Sequence, residues 1–116
     1  MPKTVFIAHP MTGDHEGNTR KIVEICRLVH SEDVIPVHPS FTTRRYFTED
    51  PRDRELAKAH IEEYFKRGMV DEVWLYGDRI TAGMRREIAL AEKYNVRVVA
   101  HSLETAMQMK NRFEGA

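Results

Sequence analysis

The chain has 116 residues, 41% of them hydrophobic and 31% charged, with 18 Lys+Arg balanced by 18 Asp+Glu. That length suits one domain burying roughly two-thirds of its unfolded surface. Zero net charge argues against a nucleic-acid module or a lipid-surface protein, both of which usually carry excess positive charge. The single cysteine, Cys26, excludes an intrachain disulfide and a thiolate zinc pair.

Thr4-Val5-Phe6-Ile7-Ala8 is apolar on consecutive positions, as in a strand covered on both faces. It is too short for a signal-peptide core, and no apolar run reaches the ~18 residues of a membrane helix, so a cytoplasmic protein is expected. His9 to Asp14 breaks the strand. Over about 16–31 the period changes, and Ile22, Ile25, Cys26 and Val29 form one helical stripe. Val34-Ile35-Pro36-Val37 reads as a second strand, and Pro36 requires an edge position. Residues 38–50 read as a loop. Asp50-Pro51 starts a helix that places Leu56, His60, Tyr64 and Phe65 on one face and ends at Gly68.

Val70 to Tyr76 is the third strand, and Gly77 to Thr81 the loop after it. Ala82 to Tyr94 is a helix, Val96 to Ala100 the fourth strand, and Ser102 caps a last helix over about 102–113. Strands alternating with helices imply parallel pairing and right-handed crossovers, a doubly wound α/β sheet in a single domain over 1–116.

Ligands of such sheets bind outside the carboxyl ends of the strands. Those ends are His9 to Asp14, His38 to Arg45, Tyr76 to Thr81, and His101-Ser102. On a wheel of about 100° per residue, Glu87 falls inside the apolar arc of the 82–94 helix, with Met84, Ile88, Leu90, Ala91 and Tyr94. An unpaired carboxylate there costs several kcal/mol. It is therefore either a structural group satisfied by Arg79, a backbone amide or the helix dipole, or a functional one. Gly83 lets a ligand approach or is a plain turn glycine.

The His9-Pro10-Met11-Thr12-Gly13-Asp14 segment offers amides to an anion or a sugar hydroxyl, but lacks the dinucleotide and P-loop fingerprints. His9, His38 and His101 come from different strands without metal-ligand spacing, so rim hydrogen bonding is the better reading. No metal or cofactor is expected. Phe41, Tyr46 and Phe47 beside Arg44 and Arg45 suit stacking on a base or a subunit contact. Arg85 and Arg86 read as a solvated face and Cys26 as core.

Three blocks carry a family resemblance: residues 5–14 with Asn18; 36–39 with Phe41 and Thr42; and 71–91, with its D-E-x-W-x-x-G-D-x-I-x-x-G-M-x-x-E-I-x-x-A pattern. Over about residues 4–100 the chain resembles a largely uncharacterised family of small bacterial and phage proteins related to the nucleoside 2-deoxyribosyltransferases. The resemblance implies a flavodoxin-like sheet of four strands, or five. It also implies a glutamate that attacks C1′ of a deoxynucleoside, leaving a glycosyl-enzyme for a second base or water to resolve. Gly83, Glu87, Ile88 and Ala91 match the G-x-x-x-E-[IL]-x-x-A pattern and place that nucleophile at Glu87. Where the transferases carry an acid a few positions earlier, this chain has Thr81; the nearest acid is Asp78.

The expected function is therefore N-glycosidic bond transfer or hydrolysis on a (deoxy)nucleoside or its 5′-monophosphate. Glu87 is the nucleophile and Asp78, or failing it His9, the acid/base. Substrate contacts are expected from His9, Pro10, Met11, Thr12, Gly13, Asp14, His38, Phe41, Tyr46, Thr81, Gly83 and Met84. A nucleotide-binding module without turnover is the alternative of a different class, and a structural or partner-binding subunit the third. The partner is a small molecule, with neither nucleic acid nor membrane involved. A homodimer or higher homo-oligomer is expected, because relatives complete their pockets from a neighbouring subunit.

Overall fold

A computed structural model describes the backbone of residues 1–114 and the side chains of residues 1–111; the last two residues of the expected 1–116 domain lie outside the described residues. Four strands, β1 (Lys3–Ala8), β2 (Val34–Val37), β3 (Glu72–Leu75) and β4 (Arg97–Ala100), alternate with α1 (His15–Val29), α2 (Pro51–Lys66), α3 (Ala82–Lys93) and α4 (Leu103–Glu114). All pairings are parallel, in the order β2-β1-β3-β4. This is the flavodoxin-like arrangement, with four strands in the sheet. Pro36 stands on edge strand β2, as its missing N–H requires.

The strands stop where buried β-branched and aromatic residues give way to polar and glycine positions. Consecutive β1 residues serve two cores. Val5 and Ile7 pack with Ile22 and Trp74 beneath α1. Phe6 and Ala8 pack with Phe65, Val73, Leu75, Met84, Ile88 and Ala91 beneath α2 and α3. That alternation is what the period of two demands of a strand covered on both faces. Met109 of α4 joins the second core, so α4 lies beside α3.

Helix starts follow capping chemistry. Asp14 accepts from Gly17 N–H at 3.0 Å, Asp50 from Arg52 N–H at 2.8 Å, and Thr81 from Met84 N–H at 3.3 Å. Two expectations need correction. Residues 38–50 hold two single-turn 3₁₀ helices, Pro39–Phe41 and Thr43–Arg45, in place of plain loop. Leu56 is exposed, because the inward contacts of α2 come from its last turns, where Ile61, Tyr64 and Phe65 reach the sheet.

The direction of chain progression reverses between β1 and β3, so the switch point lies outside Ala8 and Leu75. There Gly77, at φ +98, brings the loop after β3 against the loop after β1. The site is built around this junction.

Candidate active site

His9, 8% exposed as a residue, follows β1, and its Nδ1–H donates to the Pro10 carbonyl at 2.7 Å. That bond fixes the neutral tautomer, leaving Nε2 as a lone-pair acceptor. Burial lowers its pKa; the Pro10 bond and Asp78 oppose the shift, while Lys21 and Arg79 add to it. His38, at the end of β2, is 6% exposed and carries the opposite polarity. Its Nδ1 accepts the Ser40 backbone N–H at 3.0 Å and lies 2.7 Å from the Ser40 hydroxyl. The ring proton of neutral His38 is therefore on Nε2. Burial, helped by Arg44 and His9, takes its pKa down to about 3.

Neither Nε2 has a hydrogen-bond partner within the described residues. No buried side-chain nitrogen or oxygen there is left unpaired either, so both Nε2 atoms reach solvent. The rim thus shows one acceptor and one donor, both uncharged at neutral pH.

Glu87 occupies the second turn of α3, on the side facing the core residues Met84, Ile88 and Ala91. It makes no hydrogen bond and no ion pair among the described residues. Glu87 keeps some solvent contact as a residue, while its carboxyl group is deep within the surrounding protein. Burial pushes this carboxyl up to about 8, against the pull of the Arg86 and Arg44 guanidinium groups. Two open depressions of the described residues lie away from this carboxyl, one on the surface of α2 around Pro51 and Leu56, the other between α3 and α4 around Ile88 and Met109.

The remaining candidates divide by position. Pro10 is buried against Gly77. Met11 is half-buried, and its carbonyl accepts from the Asn18 amide at 3.3 Å. Thr12 and Gly13 are exposed, Gly13 at φ +101, and Asp14 is occupied in capping α1. Phe41 stands edge-on to His38, ring centroids 6.2 Å apart. Tyr46 turns instead to Phe47, which leans on His60 of α2.

Thr81 caps α3. Gly83 has an ordinary φ and room for a Cβ, its nearest neighbour being Arg86 at 3.6 Å. Met84 is 1% exposed and belongs to the core, so it shapes the site by packing and does not meet a ligand. Asp78 is exposed and paired to Arg79 at 2.9 Å; its field reaches His9, and it is not among the charges that act on Glu87.

Three residues beyond the expected site residues act on the histidines or on Glu87. Arg44 acts electrostatically on both His38 and Glu87 and lies 3.3 Å from His15 Nδ1 at the start of α1. Arg86 acts on Glu87 although its wheel position faces solvent. Ser40 sets the polarity of His38. Only Arg44 left a signal, as a cation in a rim loop. Among the described residues no group of three or more His, Cys, Asp or Glu is arranged to hold a metal ion, and no helix is long and apolar enough to cross a membrane.

Solved structures share this architecture. The chain is similar to a 2-desoxiribosyltransferase from Leishmania mexicana, with TM-score 0.58 and 17% identity over 85% of this chain and 63% of that one. It is also similar to a conserved protein from Enterococcus faecalis V583, with TM-score 0.57 and 17% identity over 98% of this chain and 76% of that one. At such identity the likeness is one of fold, and this chain spans under two-thirds of the transferase's length. No curated protein sequence matches it. A family model does match, over residues 3–101, and by that span the chain belongs to DUF7768, a family described as a domain of unknown function.

Proposed function

We propose that the protein breaks the N-glycosidic bond of a (deoxy)nucleoside or nucleoside 5′-monophosphate, with Glu87 as nucleophile. The observation that carries this reading is an inward carboxyl on α3 that makes no hydrogen bond or ion pair among the described residues. The fold shared with a 2-desoxiribosyltransferase supports it.

In the ionised form, a Glu87 oxygen forms a bond to C1′ as the C1′–N bond breaks and its electron pair leaves with the base. Asp78 leaves Arg79, an exposed pair whose loss costs under about 1 kcal/mol, takes a proton from solvent, and delivers that proton to the departing nitrogen. A second base or water then takes the sugar from Glu87, restoring the carboxylate. His9 accepts from, and His38 donates to, polar groups of the ligand; Phe41 offers a ring face to the base. Thr12 and Gly13 lie at the end of the site where a 5′-phosphate would sit. The exposed rings of Phe41 and Tyr46 suit closure of the site by a neighbouring subunit.

Incubation with a panel of deoxynucleosides and their monophosphates, followed by chromatography for released base, tests this. Base release that is lost in Glu87→Ala supports it; release that survives that substitution removes Glu87 from the reaction.

A second reading, a nucleotide-binding module without turnover, is favoured by one observation: at neutral pH a carboxyl with a pKa of about 8 holds its proton. Saturable nucleotide binding with no base released after prolonged incubation would establish that reading.

A further inference from the structure

The two edges of the sheet are not alike. In β2, Lys3 N–H donates to the Asp33 carbonyl at 2.9 Å, so Asp33, Ile35 and Val37 direct their backbone groups at β1. The outer edge there belongs to Val34 and Pro36, and the proline withholds a donor. In β4, His101 N–H donates to the Leu75 carbonyl at 2.8 Å, so Arg97, Val99 and His101 face β3. Val98 and Ala100 present both N–H and C=O outward, on an edge with no proline and one charge, Arg97. Leu103 and Met107 of α4, the helix that follows at once, are 73% and 56% exposed.

We infer that the β4 edge is a docking surface for a second copy of this chain, joined antiparallel about a two-fold axis at Val99. An axis perpendicular to the sheet keeps each face on its own side, so cross-strand neighbours must point the same way. With Val99 on the axis, Val98 lies opposite the partner's Ala100, and Ala100 opposite the partner's Val98. Each pair exchanges two hydrogen bonds, using only backbone groups left unbonded among the described residues.

The neighbouring register, centred on Val98, would require the Val96 N–H, which is already committed to the Ala91 carbonyl at 2.7 Å. In the Val99 register Arg97 lies opposite the partner's His101 and not opposite its own copy. His101 is itself stacked 5.1 Å from Tyr76 and 4.3 Å from Trp74, so the guanidinium meets an aromatic surface. Zero net charge sets no long-range repulsion against self-association.

Sedimentation equilibrium from about 1 μM to about 1 mM spans the weak range expected of so short an edge. It should show a reversible monomer–dimer equilibrium in the absence of any nucleotide, which separates this test from the catalytic one. Amide exchange followed residue by residue should show Val98 and Ala100 gaining protection as concentration rises. Ala100→Pro deletes one outward donor per subunit and should weaken the dimer at least about tenfold, with an unchanged circular dichroism spectrum confirming the monomer fold. A monomer at every concentration overturns the inference. So does a dimer in which the Val98 and Ala100 amides stay unprotected, whether or not Ala100→Pro folds.

Discussion

Gly77 lies so close to Pro10 that a Cβ built on it would stand 2.5 Å from the proline Cδ. The backbone there is also at φ +98, a region in which L side chains are strained. This contact holds the loops after β1 and β3 together and so sets His9 relative to α3. Gly77→Ala should destabilise the fold by about 2–4 kcal/mol, combining backbone strain with overpacking, as read from the midpoint of a urea melt. A variant as stable as the parent would show that the two loops are not held by this contact.

Glu87 links stability to pH with a definite sign. Its carboxyl titrates near 8 in the folded chain, against 4.5 for the ordinary group. Between those values the folded chain holds a proton that the unfolded chain has released, so stability falls as pH rises across the window. Glu87→Gln removes this penalty. It should stabilise the protein by about 1–3 kcal/mol at pH 9 and leave stability nearly unchanged at pH 4. Thermal melts at the two pH values check this, and equal effects at both would contradict a buried, proton-holding carboxyl.

The same charge state governs the proposed chemistry. A carboxyl that must ionise before it attacks makes the rate of base release climb as pH rises toward about 8. A rate already flat from pH 5 to 9 would mean that Glu87 ionises far more readily than its surroundings imply.

His38 acts in the acid range. Its pKa of about 3, against the ordinary 6.5, means the unfolded chain takes up a proton that the folded chain refuses. Stability is therefore complete above pH 6.5 and is lost as pH falls toward 3. His38→Asn, whose side-chain oxygen can accept from Ser40 N–H in place of Nδ1, should flatten this acid limb while keeping the 3₁₀ turn. An acid limb as steep as the parent's would assign the loss to other groups.

Thr81 stands where the resemblance sets an acid, yet its hydroxyl caps α3. Thr81→Ala should lose about 1 kcal/mol, and Thr81→Asp should retain most of the parent's stability, since Asp caps as well. Denaturant midpoints of the two variants decide this; equal losses would show that the cap contributes nothing.

What the sequence disclosed followed the range of each interaction. The four strands and four helices, the edge position of Pro36 and the inward face of Glu87 all rest on periodicity or on one residue's own geometry, and each is local. Strand ends were read one or two residues long, because Val70, Tyr76 and Val96 continue the apolar pattern after pairing has stopped. The 3₁₀ turns at 39–45 are too short to carry a period.

The polarity of His38 depends on Ser40 N–H, and the charge around Glu87 on Arg44, 43 positions away. Neither relation has a sequence pattern. Leu56 was misplaced because its helical face was legible while the absence of anything packed against it was not.

The covalent step offers the most direct test of the catalytic account. Intact-mass spectrometry during turnover of a deoxynucleoside or its monophosphate should detect a sugar adduct, mapped by peptide digestion to Glu87 and missing from Glu87→Gln, whose base release should fall at least about 10³-fold. Base release at the parent rate by Glu87→Gln, or an adduct on any other residue, would contradict it.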